Sequence, residues 1–230
     1  MTKIFCDIAD LDLIRKFNRK KIVKGFTTNP SLMRKAGAKD YKSFSKKILE
    51  ITSKPVSCEV FADDVKSMIN QGKKISEWGK NVYVKVPVTN SRGEFMGSVI
   101  SELNQNNIKL NITAVFKFDQ TKKILKKINK KTKVIISIFA GRAGDAGKDP
   151  VPEFKKSINA AKKFKNVEIL WASTREAYNY LQAKDLKCHI ITAPPSIIEK
   201  IEKFKKKYND LTLLTVKGFL EDARKSKFSI

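Results

Sequence analysis

The amino-acid sequence predicts a single-domain α/β protein, a (β/α)₈ TIM barrel with an extra C-terminal helix. Short apolar segments rich in β-branched residues alternate strictly with longer amphipathic segments. The segments VIISIFA and VEILWA are near-continuous apolar runs, as expected for parallel strands buried on both faces. No stretch rich in Pro, Gly and Ser divides the chain, so we assign residues 1–230 to one domain.

The alternation gives each element in order. Eight strands are predicted at 3–9, 21–28, 55–61, 81–88, 108–116, 132–140, 166–172 and 188–193. Helices are predicted at 10–19, 30–51, 63–78, 96–105, 118–129, 151–164, 174–183 and 195–207, and an amphipathic segment at 216–226 closes the chain. Asn29-Pro30 supplies an N-cap before a proline at the first helical position. A doubly wound open sheet is the alternative, but no GxGxxG or GxxxxGK[ST] motif follows a strand.

Composition excludes several classes of protein. A 41% hydrophobic content is too high for a disordered basic tail. No apolar run approaches the roughly 18–20 residues of a membrane span, and MTKIFCDIADL lacks the features of a signal peptide, so we expect a cytoplasmic protein without a membrane partner. Cys6, Cys58 and Cys188 stand singly and are expected to be buried thiols. His189, the only histidine, is expected in the core, and no metal site is predicted.

The charge raises the question of nucleic-acid binding. There are 48 Lys and Arg residues against 23 Asp and Glu residues, a formal net charge of +25. The excess is mostly lysine on predicted helices, whereas phosphate and base recognition favours arginine, and no RRM, KH or zinc-finger pattern is present. We therefore favour solvated helix faces and predict no nucleic-acid partner; a basic binding protein on an inactive barrel is the alternative.

Polar residues stand at the ends of the first seven predicted strands. In a (β/α)₈ barrel the chemistry lies at the C-terminal ends of the strands, which meet at one rim. A single such residue could be a core polar group or a helix cap, but seven strands together indicate a site. In strand order these residues are Asp7; Thr27, Thr28 and Asn29; Glu59; Lys85; Asn111 and Thr113; Ser137 and Arg142; and Ser173 and Arg175.

Lys85 is the candidate nucleophile. It is a lone ammonium inside the apolar segment VYVKVPV, and burial favours the neutral amine that attacks carbonyl groups to form Schiff bases. Asp7 and Glu59 supply carboxylates for acid–base work. Arg142 and the Ser-Thr-Arg segment at 173–175 suit a phosphate group.

At these residues the sequence resembles the transaldolase family, in particular its short branch that includes fructose-6-phosphate aldolase. The similarity runs from the first strand to the C-terminal helix, and its TTNPSL and VKVPVT motifs follow one another on successive strands. The similar segments are FCDIADLDLI (5–14), GFTTNPSLM (25–33), VSCEVFADD (56–64), VYVKVPVT (82–89), LNITAVF (110–116), ISIFAGRAGDAG (136–147), WASTRE (171–176) and IITAPPSII (190–198).

The resemblance implies a role for each residue. Lys85 would form a Schiff base with a ketose phosphate, and Asp7 would take the proton of the donor's C4 hydroxyl during carbon–carbon cleavage. Glu59 would move protons together with Thr113 and a water molecule. Asn29, Asn111 and Ser137, with Thr27 nearby, would hold the dihydroxyacetone unit, and Arg142, Ser173 and Arg175 would hold the acceptor phosphate.

The resemblance also implies the overall reaction and its setting. A three-carbon ketol unit would pass from a ketose phosphate to an aldose phosphate, without metal or organic cofactor, in the pentose phosphate pathway. The protein would be a homo-oligomer, a pentamer or decamer, in which the C-terminal helix reaches a neighbour.

Two positions separate transaldolases from the aldolase alternative. Fructose-6-phosphate aldolases are similar to this chain but carry Gln at the position of Glu59 and Tyr at that of Phe139. A phenol there would help position water for release of free dihydroxyacetone, so Phe139 favours transfer. The segments NSRGEFMGS (90–98) and GRAGDAGKDPVPEF (141–154) depart from the family pattern, and a branch specialised for surface-sugar biosynthesis remains an alternative.

Overall fold

The computed structural model describes residues 1–204 and 206–227 and shows a closed barrel of eight parallel strands in sequence order. The predicted fold class is therefore confirmed and an open doubly wound sheet is excluded. The strands are β1 (Lys3–Asp7), β2 (Val23–Thr27), β3 (Val56–Glu59), β4 (Val82–Pro87), β5 (Leu110–Val115), β6 (Val134–Phe139), β7 (Val167–Ala172) and β8 (Ile190–Ala193).

The helices cover the outside of the barrel in the predicted alternation. In the described part of the chain they are α1 (Leu11–Asn18), α2 (Pro30–Lys35), α3 (Tyr41–Ile51), α4 (Val65–Ser76), α5 (Gly97–Gln105), α6 (Phe118–Leu125), α7 (Ala140–Asp145), α8 (Val151–Ala161), α9 (Tyr178–Asp185), α10 (Pro195–Glu202) and α11 (Tyr208–Ser226).

Three helix predictions were wrong. The single helix expected over 30–51 is two helices, because Gly37 adopts a positive φ of 79° and ends α2. The short helix α7 directly after β6 was not predicted, since its sequence AGRAGD is rich in glycine. The helix expected over 195–207 ends at Glu202, and Lys205 lies outside the described residues.

Two apolar clusters make up the core. The larger one lies between the strands and the surrounding helices, as in other barrels of this class. A smaller cluster fills the barrel interior and includes Phe5, Tyr83 and Leu170. Gly25 on β2 allows this filling, because a Cβ atom there would lie 2.6 Å from the ring of Phe5. The barrel is therefore closed below its C-terminal rim.

The remaining features concern the surface and the cysteines. No residue of α11 is buried, although the helix carries several apolar side chains. None of the helices in the described ranges is both long enough and apolar enough to cross a membrane. Cys6, Cys58 and Cys188 are free and buried, as expected.

Candidate active site

A cavity of about 200 Å³ opens at the C-terminal rim of the barrel. It is lined by eleven of the thirteen candidate residues named from the sequence, which come from β1, β2 and β4–β7 and the segments after them. They are Asp7, Thr27, Asn29, Lys85, Asn111, Thr113, Ser137, Phe139, Arg142, Ser173 and Arg175. The other two do not line the cavity: Glu59 pairs with Lys85, and Thr28 accepts a hydrogen bond from Lys85 through its carbonyl.

Lys85 and Glu59 form a largely buried ion pair. Parallel register places Glu59 of β3 beside Lys85 of β4, and Lys85 Nζ lies 3.1 Å from Glu59 Oε2. The amine also donates a hydrogen bond to the carbonyl of Thr28, at 3.1 Å. Both side chains are largely shielded, with 10% and 19% of their surfaces exposed. A lysine in this position is oriented by two acceptors while its nitrogen remains at the cavity wall.

Asp7 is the second carboxylate of the cavity. Burial raises the pKa of its carboxyl group, and this effect outweighs the hydrogen bond from Thr27 and the charge of Lys85, which both lower the pKa. Thr27 Oγ1 lies 2.7 Å from Asp7 Oδ1 and 2.6 Å from Thr192 Oγ1. Asp7 is therefore held in place and more readily protonated than an ordinary aspartate, which suits a group that accepts and returns a proton.

Amide and hydroxyl groups continue the polar wall on the neighbouring strands. Ser137 Oγ donates to Asn111 Oδ1 at 2.7 Å, and Asn111 Nδ2 donates to Ser57 Oγ at 2.9 Å. The hydroxyl of Thr113 is buried and has no hydrogen-bond partner among the described residues. Since buried hydroxyls are normally satisfied, Thr113 is available to a ligand or a water molecule. The wall thus offers several donors and acceptors to the hydroxyls of a polyol.

The two arginines at the cavity mouth are in different states. Arg175 forms a two-pronged ion pair with Asp145 of α7, with Nε 3.1 Å from Oδ2, which raises the pKa of the guanidinium and lowers that of the carboxyl. Arg142 has no carboxylate within ion-pair distance among the described residues, and its guanidinium lies 5.4 Å from the ring centroid of Phe139. Arg142 is therefore the cation more available to an anion.

Some site residues were not anticipated. Thr192 of β8 lines the cavity, so the eighth strand also supplies a polar group. The feature that could have predicted Thr192 is its place at the C-terminal end of the apolar segment IIT. Asp145 was also missed, because its partner Arg175 is 30 positions away in sequence. His189 was expected in the core but is only half-buried, immediately before β8 and far from this rim.

The two segments that depart from the family pattern border the rim. In the first, Thr89 and Phe95 pair across a tight turn, which the side chain of Asn90 stabilises by accepting from the amides of Arg92 and Glu94. Asp63 ties this turn to the loop after β3 by accepting from Ser91. The second segment forms α7 and the start of α8.

Comparison with known proteins identifies the family of this chain. A family model described as "Transaldolase/Fructose-6-phosphate aldolase" matches residues 4–230. A "Probable transaldolase" of Nitrosopumilus maritimus is 33% identical over 98% of this chain and 96% of its own, and one of Thermoanaerobacter sp. is 31% identical over 99% and 100%. Among solved structures, a putative dihydrodipicolinate synthase family protein from Coccidioides immitis is similar in fold alone, with a TM-score of 0.61 and 11% identity over 83% of this chain and 66% of its own. The resemblance noted in the sequence is thereby confirmed over nearly the whole chain, and this chain belongs to the transaldolase/fructose-6-phosphate aldolase family.

Proposed function

We propose that the protein is a transaldolase that carries a dihydroxyacetone unit between sugar phosphates on Lys85. The observation that carries this proposal is the largely buried pair of Lys85 and Glu59 at a cavity whose wall also holds a second carboxylate and many hydroxyl and amide groups. Attack of the Lys85 amine on the ketone of a ketose phosphate forms a carbinolamine, and loss of water gives the protonated imine. Glu59, 3.1 Å from Nζ, accepts and returns the protons of these steps, together with Thr113 and a water molecule.

Asp7 acts in the carbon–carbon cleavage. It removes the proton of the C4 hydroxyl, the C3–C4 bond breaks, and its electron pair moves into the imine to form an enamine. An aldehyde leaves. The enamine then attacks the acceptor aldehyde, and Asp7 returns the proton to the new alkoxide. Water adds to the regenerated imine, and cleavage of its carbon–nitrogen bond releases the new ketose phosphate and the free Lys85 amine. The raised pKa of Asp7 makes it a better base than an exposed aspartate. Because the protonated imine is the electron sink, the reaction requires neither metal nor organic cofactor.

The remaining cavity residues position the substrates. Asn29, Asn111 and Ser137, with Thr27 beside Asp7, hold the hydroxyl groups of the three-carbon unit. Arg142, Ser173 and Arg175 hold the phosphate of the aldose at the mouth of the cavity. These are the donors and cations that such a substrate requires, and all seven line one cavity.

Phe139 favours transfer over the aldolase alternative. Its ring packs against Arg142 and, at a centroid distance of 5.8 Å, against Phe116, and it supplies no hydroxyl to the cavity. Without a phenol to position water there, the enamine is not readily protonated and hydrolysed, so it persists until an aldehyde arrives. Free dihydroxyacetone is therefore a minor product in this proposal.

The biological setting is part of the same proposal. Three free buried cysteines are compatible with a reducing, cytoplasmic compartment, and we place the reaction in the pentose phosphate pathway. Homo-oligomerisation is supported by the uncovered apolar side chains of α11. The most exposed among these are Tyr208, Phe219, Val216, Leu213 and Leu220.

Borohydride trapping tests the proposal. Reduction in the presence of fructose 6-phosphate should add a three-carbon unit at Lys85, located by peptide mass spectrometry. Lys85→Arg keeps the charge beside Glu59 and should abolish the adduct. Lys109→Arg is the matched control at another partly buried lysine, and its adduct should remain. An adduct at another lysine, or none, contradicts the mechanism. Adding erythrose 4-phosphate as the acceptor should then raise the turnover of fructose 6-phosphate. If turnover does not rise, the protein is an aldolase and not a transaldolase.

A further inference from the structure

A second cavity lies at the opposite end of the barrel, around the starts of β6, β7 and β8. Its volume is about 640 Å³. Glu168 and His189 form part of its wall, and the rest is dominated by lysines. We call it the lysine cavity, after Lys3, Lys130, Lys131, Lys133, Lys162 and Lys165.

The lysine cavity concentrates uncompensated charge. Lys3 pairs with Glu168 at 2.7 Å, and among the described residues none of the other five lysines has a carboxylate within 4.0 Å. Six lysines against one glutamate give a formal charge of +5, a fifth of the net charge of the chain, on twelve of its 230 residues. The C-terminal ends of α6 and α8 face this end of the barrel, but each contributes only about half a negative charge.

Three lysines elsewhere at this end of the barrel have polar partners. The ammonium group of Lys54 donates to the carbonyl of Asn18 at 2.6 Å, and that of Lys109 donates to the carbonyl of Lys80. Lys20 pairs with Glu202 at 2.6 Å. The lysine cavity differs from these positions because it brings five lysines without a carboxylate partner together in one concave site.

His189 adds a directed donor to this wall. Its Nδ1 accepts a hydrogen bond from the backbone N–H of Ile169 at 3.1 Å, so the proton of the neutral ring is on Nε2. Burial lowers the pKa of His189 and outweighs the opposing charge of Glu168, while Lys3 lowers it further. At neutral pH the ring is neutral and can donate only through Nε2.

We propose that the lysine cavity binds a small anion with several phosphate groups, such as an inorganic or organic pyrophosphate or triphosphate. The lysine ammonium groups would contact the phosphate oxygens, and His189 would donate one hydrogen bond. A volume of about 640 Å³ lies within the range of small-ligand cavities. The grouping of five unpaired lysines in one concave site favours such an anion over a long polynucleotide, which needs an extended basic track.

The only histidine of the chain provides the readout. NMR of the His189 ring, with inorganic triphosphate, pyrophosphate and orthophosphate as probes at about 0.1 M salt, should show a saturable shift. The affinity should rise at least about tenfold from orthophosphate to triphosphate, because charge number sets the attraction. Arg142→Gln should leave the titration unchanged, which separates this site from the proposed active site and makes the result independent of the proposed function.

A matched pair of variants tests the assignment to these lysines. Lys131→Gln/Lys162→Gln/Lys165→Gln should weaken triphosphate binding at least about tenfold without lowering the unfolding temperature, since these lysines repel one another. The control removes three exposed charges from α3 (Lys42→Gln/Lys46→Gln/Lys47→Gln) and should bind triphosphate as the unaltered chain does.

Three results would overturn the proposal. The first is the absence of a saturable His189 shift below about 10 mM triphosphate. The second is equal weakening in the α3 control, which would indicate attraction by net charge alone. The third is a single-stranded oligonucleotide that binds more tightly than triphosphate and is lost in the same cavity variant, which would make the surface a nucleic-acid interface.

Discussion

Gly141→Ala tests whether backbone packing fixes the positions of Arg142 and Arg175, the two arginines that we propose bind phosphate. Gly141 is the second residue of α7, next to Arg142, and its α-carbon faces the carbonyl oxygen of Ser173. A Cβ atom at this position would lie 1.7 Å from that oxygen and 2.9 Å from Cγ of Arg175. Real Cβ contacts are essentially never shorter than 3.0 Å, so the carbonyl or the helix must move by about 1.3 Å.

The obstructing atom belongs to the backbone and cannot rotate away. Ser173 already has a φ of 62°, in the left-handed region that non-glycine residues seldom adopt, so the segment has little freedom to yield. Overpacking of this kind costs about 1–3 kcal/mol, and a clash with backbone belongs at the upper end. For a chain of this length, about 3 kcal/mol lowers the unfolding temperature by about 6–12 °C.

The same movement separates Arg142 from Arg175 and Ser173. Since a misplacement of about 1 Å can reduce turnover about 100-fold, we expect kcat/KM for a phosphorylated acceptor to fall by about 10- to 100-fold. The borohydride adduct at Lys85 should still form, because the change lies at the mouth of the cavity. Thermal unfolding, steady-state kinetics with erythrose 4-phosphate and adduct mass spectrometry measure the three effects.

Gly144→Ala is the matched control on the same helix. No heavy atom lies within 4 Å of a Cβ atom built at Gly144, and alanine favours helix by up to about 1 kcal/mol. This variant should unfold at the original temperature or slightly above it, with unchanged kinetics. If Gly141→Ala behaves like Gly144→Ala in both assays, the close approach to Ser173 does not position the arginines and the reasoning is wrong.

Three other substitutions have directed outcomes. Asp7→Asn should stabilise the fold more at pH 8 than at pH 4, as measured by thermal unfolding. Burial raises the pKa of Asp7, so the native state loses stability as the pH rises from the ordinary pKa of 3.8 through the raised one. An equal gain at both pH values contradicts this. Asp145→Asn frees Arg175, so inorganic phosphate should inhibit the enzyme about fivefold more strongly. The free energy of unfolding should fall by at most about 1 kcal/mol, because the lost ion pair is exposed. Unchanged inhibition contradicts this. Phe139→Tyr with Glu59→Gln should raise the release of free dihydroxyacetone relative to transfer, measured by coupled assay; an unchanged ratio contradicts the role given to Phe139.

The strands and the rim were predictable because parallel strands are apolar on both faces. In that setting a polar residue near the C-terminal end of a strand is conspicuous, and parallel register then brings Glu59, Lys85 and Asn111 side by side on β3, β4 and β5. The same reasoning missed Thr192, because the threonine of IIT could equally be a β-branched core residue. The sequence therefore predicted which residues lie at the C-terminal rim. Which of them are adjacent depends on how the strands pair in the closed barrel.

The errors arose where a contact joins distant segments or where glycine sets the backbone. Gly37 has the positive φ that divides α2 from α3, but a glycine inside an amphipathic pattern can also be tolerated in a helix. The Arg175–Asp145 pair depends on how α7 lies against the loop after β7. The sequence AGRAGD has no apolar periodicity from which the packing of α7 against this loop could be predicted.

The two ends of the barrel handle positive charge in opposite ways. At the C-terminal rim Lys85 is paired with Glu59 and Arg175 with Asp145, so among the described cationic residues that line this cavity only Arg142 lacks a carboxylate partner. At the other end five lysines share one cavity without one. The positive net charge of the chain creates an electrostatic field that attracts anions to both ends. Salt weakens this attraction at both ends alike, so short-range contacts must distinguish the two sites. We expect the proposed substrates to be recognised at the rim by short-range geometry, and anions to be recognised in the lysine cavity by charge number. The two sites should therefore rank phosphate compounds differently.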